Sequence, residues 1–573
     1  MRAIVLLLLC VCVQAIAADD ADSRFRALHE REWAWRMAQF PLFATSAGVH
    51  EHDHRLGSVD ERAQQQRLLY WREIAAELAR IDPAELSPGE RINHVIYTQQ
   101  IESNVGGIEV RSYLLPLNSD SSFYGELAQL PRAHPFESER DYRNYLARLR
   151  ALPKYFDEHI ALLEAGLEAG ISVPQVVLLG RDAALQPHTQ LKRPEASIYY
   201  APFARFPPAI PEASRAELRR TAAATIKSEV TPAYVKLLRF MRETYIPGAR
   251  RTLAATAMPG GRAFYARQIE DFVTLKLDPD AIHARGLTEV ARIRGEMDGV
   301  IKNSGFKGSF AEFLNYLRTD KRFYARNADE LLVRAADVAK RVDAQLPKYF
   351  NLLPRMPFGI APVPAAIAPF YTGGRYSPPA VGSREPGYYW VNTWKLESRP
   401  LYTLPALTLH EAVPGHHLQN ALAIEQGEQP PFRRYSYISA FGEGWALYAE
   451  HLGVEMGIYR TPYENFGRLT YEMWRACRLV IDTGVHHKGW TREQALAYLR
   501  DNTALSVHEV ETEIDRYISW PGQALSYKWG ELLIRDLRTR ATQELGPAFD
   551  LRAFHDRILA LGSVPLPVLE QEI

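Results

Sequence analysis

Cysteine is almost missing from this chain: three residues in 573, two of which, Cys10 and Cys12, sit in the first apolar stretch. A framework of internal disulfides is therefore excluded. An excess of charge of one sign is missing too. The 68 Lys and Arg balance 68 Asp and Glu, so bulk charge offers no attraction to nucleic acid. After the N-terminus no segment approaches the ~20 successive apolar residues that a membrane span needs. Internal repeats and low-complexity tracts are also lacking. What is present is an ordinary globular composition, 47% hydrophobic and 24% charged. Chains beyond ~250–300 residues usually divide their cores, so two lobes are expected.

Arg2 precedes eleven apolar residues, Ala3 to Val13, followed by Gln14, the small-residue site Ala15-Ile16-Ala17 and acidic Asp19 and Asp20. That order reads as a secretory signal peptide over residues 1–17 and implies export, to a periplasm or the medium. Lipid attachment at Cys10 is the weaker alternative, because Leu9 is large where such sites take a small residue. Cleavage after Ala17 leaves 67 basic and 68 acidic residues and a single thiol, Cys477.

Most of the remaining chain reads as helix. Asn327 is a capping residue with Glu330 three positions on, and Leu331, Ala335, Val338, Val342 and Leu346 follow at helical spacing. Similar stripes run from Leu68 to Ile81, Tyr142 to Leu163, Ala216 to Met241 and Ile282 to Ile301. Between Pro354 and Gly387, 8 Pro and 5 Gly fall within 34 residues, which no helix survives. Tyr388-Tyr389-Trp390-Val391-Asn392-Thr393 comes next and reads as a strand. A soft boundary is drawn here, with a helical scaffold over 18–375 and a chemically suggestive region over 376–573.

Helical signals resume at Pro405 and lead into His410-Glu411-Ala412-Val413-Pro414-Gly415-His416-His417. A buried imidazole beside a buried carboxylate is costly unless paired or bound to metal. In zinc hydrolases the His of such a pair binds metal and the Glu takes the proton of the attacking water. The dipeptide itself is common, since His-Glu also occurs at His29, His50 and His508. The literal H-E-x-x-H match is His50-Glu51-His52-Asp53-His54, but its interior is polar and no apolar stripe flanks it, so it reads as a solvated turn. In a regular helix His417 lies ~10 Å along the axis from His410, too far to share an ion. Pro414-Gly415 breaks that regularity, and a local bulge there is expected to fold His416 back beside His410, with His417 as the runner-up ligand or a group behind a ligand. A third ligand is sought 33 residues after His410, at Glu443, which lies between two glycines and two turns from Glu450.

The strings H-E-A-V-P-G-H-H and F-G-E-G-W-A-L-Y-A-E resemble the bacterial domain of unknown function 885 family, as do Asp482 to His486 and Arg516 to Tyr527. More distantly, the layout is similar to helical zincin-like peptidases of the thimet oligopeptidase type. The resemblance implies a mostly α, two-lobed metallopeptidase fold around a deep cleft, with a small sheet beside the active-site helix. It implies His410, His416 and Glu443 as Zn2+ ligands, Glu411 as general base and Glu450 behind a ligand imidazole. Tyr527 is then the donor to the developing oxyanion, with Tyr517 as substitute and His486 as a further candidate. Tyr389 to Asn392 is expected as an edge strand that pairs with a peptide. Arg475, Arg478 and Arg516 are candidates for a substrate carboxylate, with ordinary ion pairing the commoner fate of such residues. The function expected is an exported zinc metallohydrolase cleaving peptide or peptide-like substrates. The alternatives are a zinc amidase or esterase on small substrates, and a non-catalytic peptide-binding protein.

Overall fold

Capping residues and apolar spacing account for the helices. The computed structural model describes residues 2–119, 121–365, 367–379 and 385–573, with side chains described from residue 21 onward except at 370. The side chains of the expected signal peptide, 1–17, lie outside the described residues. Asp60 accepts a hydrogen bond from the Ala63 N–H (2.8 Å) and starts α1 (Glu61–Leu78), which buries Leu68, Trp71, Ile74 and Leu78. Against it packs α2 (Pro88–Glu109). A capping box of Ser138 and Asp141 starts α3 (Glu139–Glu168), which buries the expected stripe from Tyr142 to Leu163.

These helices belong to one compact unit, residues 1–252 and 257–264. It also holds the literal H-E-x-x-H segment, which forms a turn with His50, Glu51 and His54 exposed. Asp53, expected to be solvated, is instead buried: one carboxylate oxygen meets His50 Nδ1 (2.9 Å) and the other lies 3.5 Å from the Arg148 guanidinium.

The second unit comprises residues 253–256 and 265–573. It contains the soft boundary at 375/376, because the Pro/Gly-rich stretch marks where helix yields to sheet within one core. Its helices begin with α4 (Pro279–Ser304) and α5 (Ala328–Asp343). Asn327 caps α5 through the Glu330 N–H (2.8 Å), and Leu331, Ala335, Val338 and Val342 are buried as their spacing requires.

The sheet has three strands, β1 (Phe358–Pro362), β2 (Gly374–Ser377) and β3 (Gly387–Val391), in the order β1-β3-β2. β1 is parallel and β2 antiparallel to β3, with Ile360 and Tyr376 both opposite Tyr389. β3 therefore lies at the centre, and the expectation of an edge strand at Tyr389 to Asn392 is corrected. Both sides of its backbone are taken, and the Asn392 amide donates to the Ala368, Tyr371 and Thr372 carbonyls.

The region that carries the candidate ligands follows as α6 (Leu404–Glu411), α7 (His416–Glu425), α8 (Ser439–Glu455), α9 (Pro462–His486), α10 (Val507–Ser519) and α11 (Leu525–Leu545). Every residue of α9 from Phe466 to His486 is buried. It nonetheless carries Arg468, Glu472, Arg475, Arg478, Asp482 and His486, each three or four positions after the last. Such a stripe survives burial only if each member is paired. Glu472 receives Lys528 of α11 (3.0 Å), Arg478 reaches Glu513 of α10 (2.9 Å), and Asp482 accepts from the Tyr265 hydroxyl (2.7 Å).

Candidate metal centre

The site is built where α6 stops. Ala412 leaves helical geometry (φ −97°, ψ −108°), the Val413-Pro414 peptide is cis, and α7 starts afresh at His416. The expected local bulge is thus a full break between two helices. Gly415 permits it: a Cβ there would collide with the carbonyl oxygens of Leu409 and His410. Trp445 of α8 fixes the break by donating from its indole N–H to the Pro414 carbonyl (2.8 Å).

The break turns His416 toward His410, with ring centroids 4.9 Å apart and planes perpendicular. Glu443 comes from α8, which approaches α11 closely because Gly444 lies against Gly530; a Cβ on Gly444 would meet the Gly530 backbone at 2.6 Å. Glu443 Oε2 stands 3.4 Å from His410 Nε2 and 3.5 Å from His416 Nε2. One ligand atom from each residue lies within 4.8 Å of the other two, the sole such cluster of metal-ligating type among the described residues. The arrangement fits a metal better than hydrogen bonding. Glu443 Oε2 is buried with no hydrogen-bond partner, and two ligands ~2.1 Å from one tetrahedral ion lie ~3.4 Å apart. Two imidazoles and one carboxylate form a donor set for zinc with a position left open.

The neighbouring groups orient this set. His410 Nδ1 lies 2.8 Å from Glu450 Oε1, which fixes the proton on Nδ1 and leaves Nε2 as the ligand atom. His416 Nδ1 faces Gln419 Oε1 (3.4 Å) with the same effect. Burial opposes charge on His410, but the Glu443 and Glu450 carboxylates beside it push its pKa up to about 10. Burial also opposes ionisation of Glu443, yet the His416 and His410 rings hold its carboxyl well below the usual range. Glu411 is buried, and its Oε2 accepts the backbone N–H of Tyr376 on β2 (2.8 Å). The sheet therefore positions this carboxylate.

Several expected residues lie elsewhere. His417 faces the Tyr376 hydroxyl (3.2 Å) and the Met356 carbonyl (3.1 Å), so both ring nitrogens are used away from the metal cluster. The Tyr517 hydroxyl accepts from Trp474 Nε1 (2.7 Å) and Arg478 Nε (2.9 Å), which engages it inside the core. His486 accepts from the Ala255 N–H (3.1 Å) and donates to the Tyr517 carbonyl (2.8 Å), tying backbone segments together. His486 thus uses both ring nitrogens on backbone groups and the Tyr517 hydroxyl is engaged by two core side chains, so both are placed in the packing of the core. Arg475 lies 3.7 Å from Glu450 and over the Trp474 ring, and Arg516 reaches Gln523 (3.1 Å). With Arg478 (2.9 Å) and Arg516 (3.6 Å) both on Glu513, all three arginines follow the ordinary ion-pairing reading.

Tyr527 is different: its ring lies under the Arg478 guanidinium (4.0 Å to the centroid), and its hydroxyl makes no hydrogen bond among the described residues. Tyr437 was not anticipated. Its hydroxyl donates to Glu443 Oε1 (3.3 Å). Its ring occupies the space that the missing side chain of Gly442 leaves, and that glycine is the one sequence signal that could have pointed to it.

A crystal structure of a candidate lipoprotein from Colwellia psychrerythraea superposes with a TM-score of 0.88 at 28% identity, over 97% of this chain and 98% of that one. The solved structure of a candidate lipoprotein of unknown function from Shewanella oneidensis gives a TM-score of 0.71 at 19% identity over 96% of this chain and 99% of that one. No curated protein matches. Residues 41–573 match the family described as bacterial protein of unknown function, DUF885, and the chain belongs to that family.

Proposed function

We propose that this protein is an exported zinc-dependent metallohydrolase that cleaves oligopeptides, built on a helical zincin-like plan. The observation that carries this reading is the spacing of His410, His416 and Glu443 around one point, with Glu411 next to a ligand and held by the Tyr376 N–H. Zn2+ bound there would polarise a substrate carbonyl and make a water acidic near neutral pH. Glu411 takes the proton of the attacking water and passes it to the leaving amine. The free hydroxyl of Tyr527 donates to the oxygen on which negative charge develops. Tyr437 holds Glu443 in its liganding pose, and Glu450 does the same for His410. A purely structural zinc site would close the fourth position with a protein ligand and would need no adjacent base.

Export accords with the N-terminal signal and with two structural neighbours that are described as candidate lipoproteins. The mass of the mature chain separates cleavage after Ala17 from lipid at Cys10. The function is tested by metal analysis and a peptide-library digest read by mass spectrometry, on the unaltered chain and on Glu411→Gln. Both are expected to hold about one zinc, and only the unaltered chain to cleave. Equal turnover by the two overturns the mechanism, and cleavage of small amides or esters but no peptide redirects the substrate class.

A further inference from the structure

A pocket of about 720 Å³, including its open mouth, adjoins the metal cluster. Two of its walls are residues that touch metal-ligand candidates: Gln419, which faces His416, and Tyr437, which bonds Glu443. Its other polar walls are the amides of Asn420, Gln426 and Gln429, each donating one N–H within the fold and keeping a second, the hydroxyls of Ser436 and Ser563, and two arginines, Arg433 and Arg434, and no carboxylate among the described residues lines it. Arg433 is anchored on the Leu561 carbonyl. The Arg434 guanidinium makes no ion pair or hydrogen bond among the described residues and stands 5.9 Å from the centre of the Tyr435 ring. Gln419 is 7% exposed, and its Nε2 is buried without a partner. Buried amide N–H groups are seldom left unmade, so an acceptor is missing at this wall.

From this we infer that the pocket receives a carboxylate of the substrate, with Arg434 as its counter-ion and the amide walls as hydrogen-bond donors. The inference rests on the hydrolase reading above and adds to it a substrate class, peptides that place a carboxylate beside the scissile bond. Arg434 takes the role sought among Arg475, Arg478 and Arg516, each of which already has a carboxylate beside it in the fold, Glu450 for the first and Glu513 for the other two. A guanidinium suits a carboxylate through paired N–H donors, and the neutral amides add orientation without competing charge. The carboxylate comes either from a free C-terminus or from an Asp or Glu side chain.

Binding to zinc-loaded Glu411→Gln protein, followed by calorimetry, tests this without turnover. Three acetylated alanine tetrapeptides serve as probes: one with a free C-terminus, one C-terminally amidated, and one amidated with Glu as its last residue. The free-acid peptide is expected to bind about tenfold more tightly than the amide, the worth of one charge-assisted hydrogen bond. Arg434→Gln should bring that ratio close to one, and Arg434→Lys should keep part of it. If the Glu-containing amide matches the free acid, the side chain is the source; if it matches the plain amide, the terminus is. Equal affinity of all three probes, or a ratio that survives Arg434→Gln, overturns the assignment. Should the ratio behave as expected while the unaltered chain cleaves nothing, the hydrolase reading fails and the carboxylate site stands. Cleavage with no carboxylate preference does the reverse, removing the carboxylate site and leaving the hydrolase in place.

Discussion

Glu450 Oε1 lies 2.8 Å from His410 Nδ1 and 3.7 Å from the Arg475 guanidinium, so one buried carboxylate links the imidazole of the proposed metal ligand His410 to the core helix α9. The link sets the His410 tautomer and keeps the ring basic. Glu450→Gln keeps the shape but loses the charge, and should weaken zinc affinity about 10- to 100-fold, the usual effect of a group behind a ligand. Competition with a chelator of known affinity measures it. Unchanged affinity would reduce Glu450 to a packing residue.

Gly415→Ala probes the break between α6 and α7. The added Cβ must push on the Leu409 and His410 carbonyls, which belong to the helix that carries the first ligand. A loss of about 1–3 kcal/mol is expected for such overpacking, together with loss of zinc because His416 is displaced. Thermal melting and metal content of the same sample report the two effects. Full zinc content at unchanged melting temperature would mean that the turn tolerates a side chain.

The pair of motifs made much of this legible in advance. Helix caps and stripes such as Asn327 with Leu331 to Val342 depend on neighbours in sequence, and so do the spacing of His410 and Glu411 and the strand at β3. What escaped depends on distant partners. β1 and β2 are short and interrupted by Pro and Gly, so no local pattern placed β3 between them. His486, Tyr517 and Arg478 have the side chains of catalytic residues, but their roles were set by what α9 meets in the core. Tyr437 reaches Glu443 across a turn that carries no periodic signal.

Tyr527 and Tyr437 should separate in their effects. Tyr527→Phe removes a hydroxyl that holds nothing in place, so zinc content and melting temperature should stay put while kcat falls by about 10²–10³, the effect of losing an oxyanion donor. Tyr437→Phe frees Glu443 Oε1, and should show first as weaker zinc binding. Steady-state kinetics at saturating zinc and a zinc titration on both variants give the comparison. Retained kcat in Tyr527→Phe would remove it from the mechanism.

Asp482 supplies a pH dependence that is independent of the metal. Burial pushes its carboxyl up to about 7, against the hydrogen bonds from the Tyr265 hydroxyl and the Gly522 N–H, whereas an unfolded Asp titrates near ~3.9. Between those values the folded chain keeps a proton that the unfolded chain has already lost. The stabilisation is therefore complete below about pH 4 and is lost as pH rises toward 7, by up to about 1.4 kcal/mol per pH unit. Asp482→Asn stays neutral throughout and can still accept from Tyr265 and Gly522. Its melting temperature relative to the unaltered chain should climb steadily from pH 4.5 to 7.5. A constant difference across that range would show that Asp482 is already ionised in the fold at acid pH, held there by its two donors.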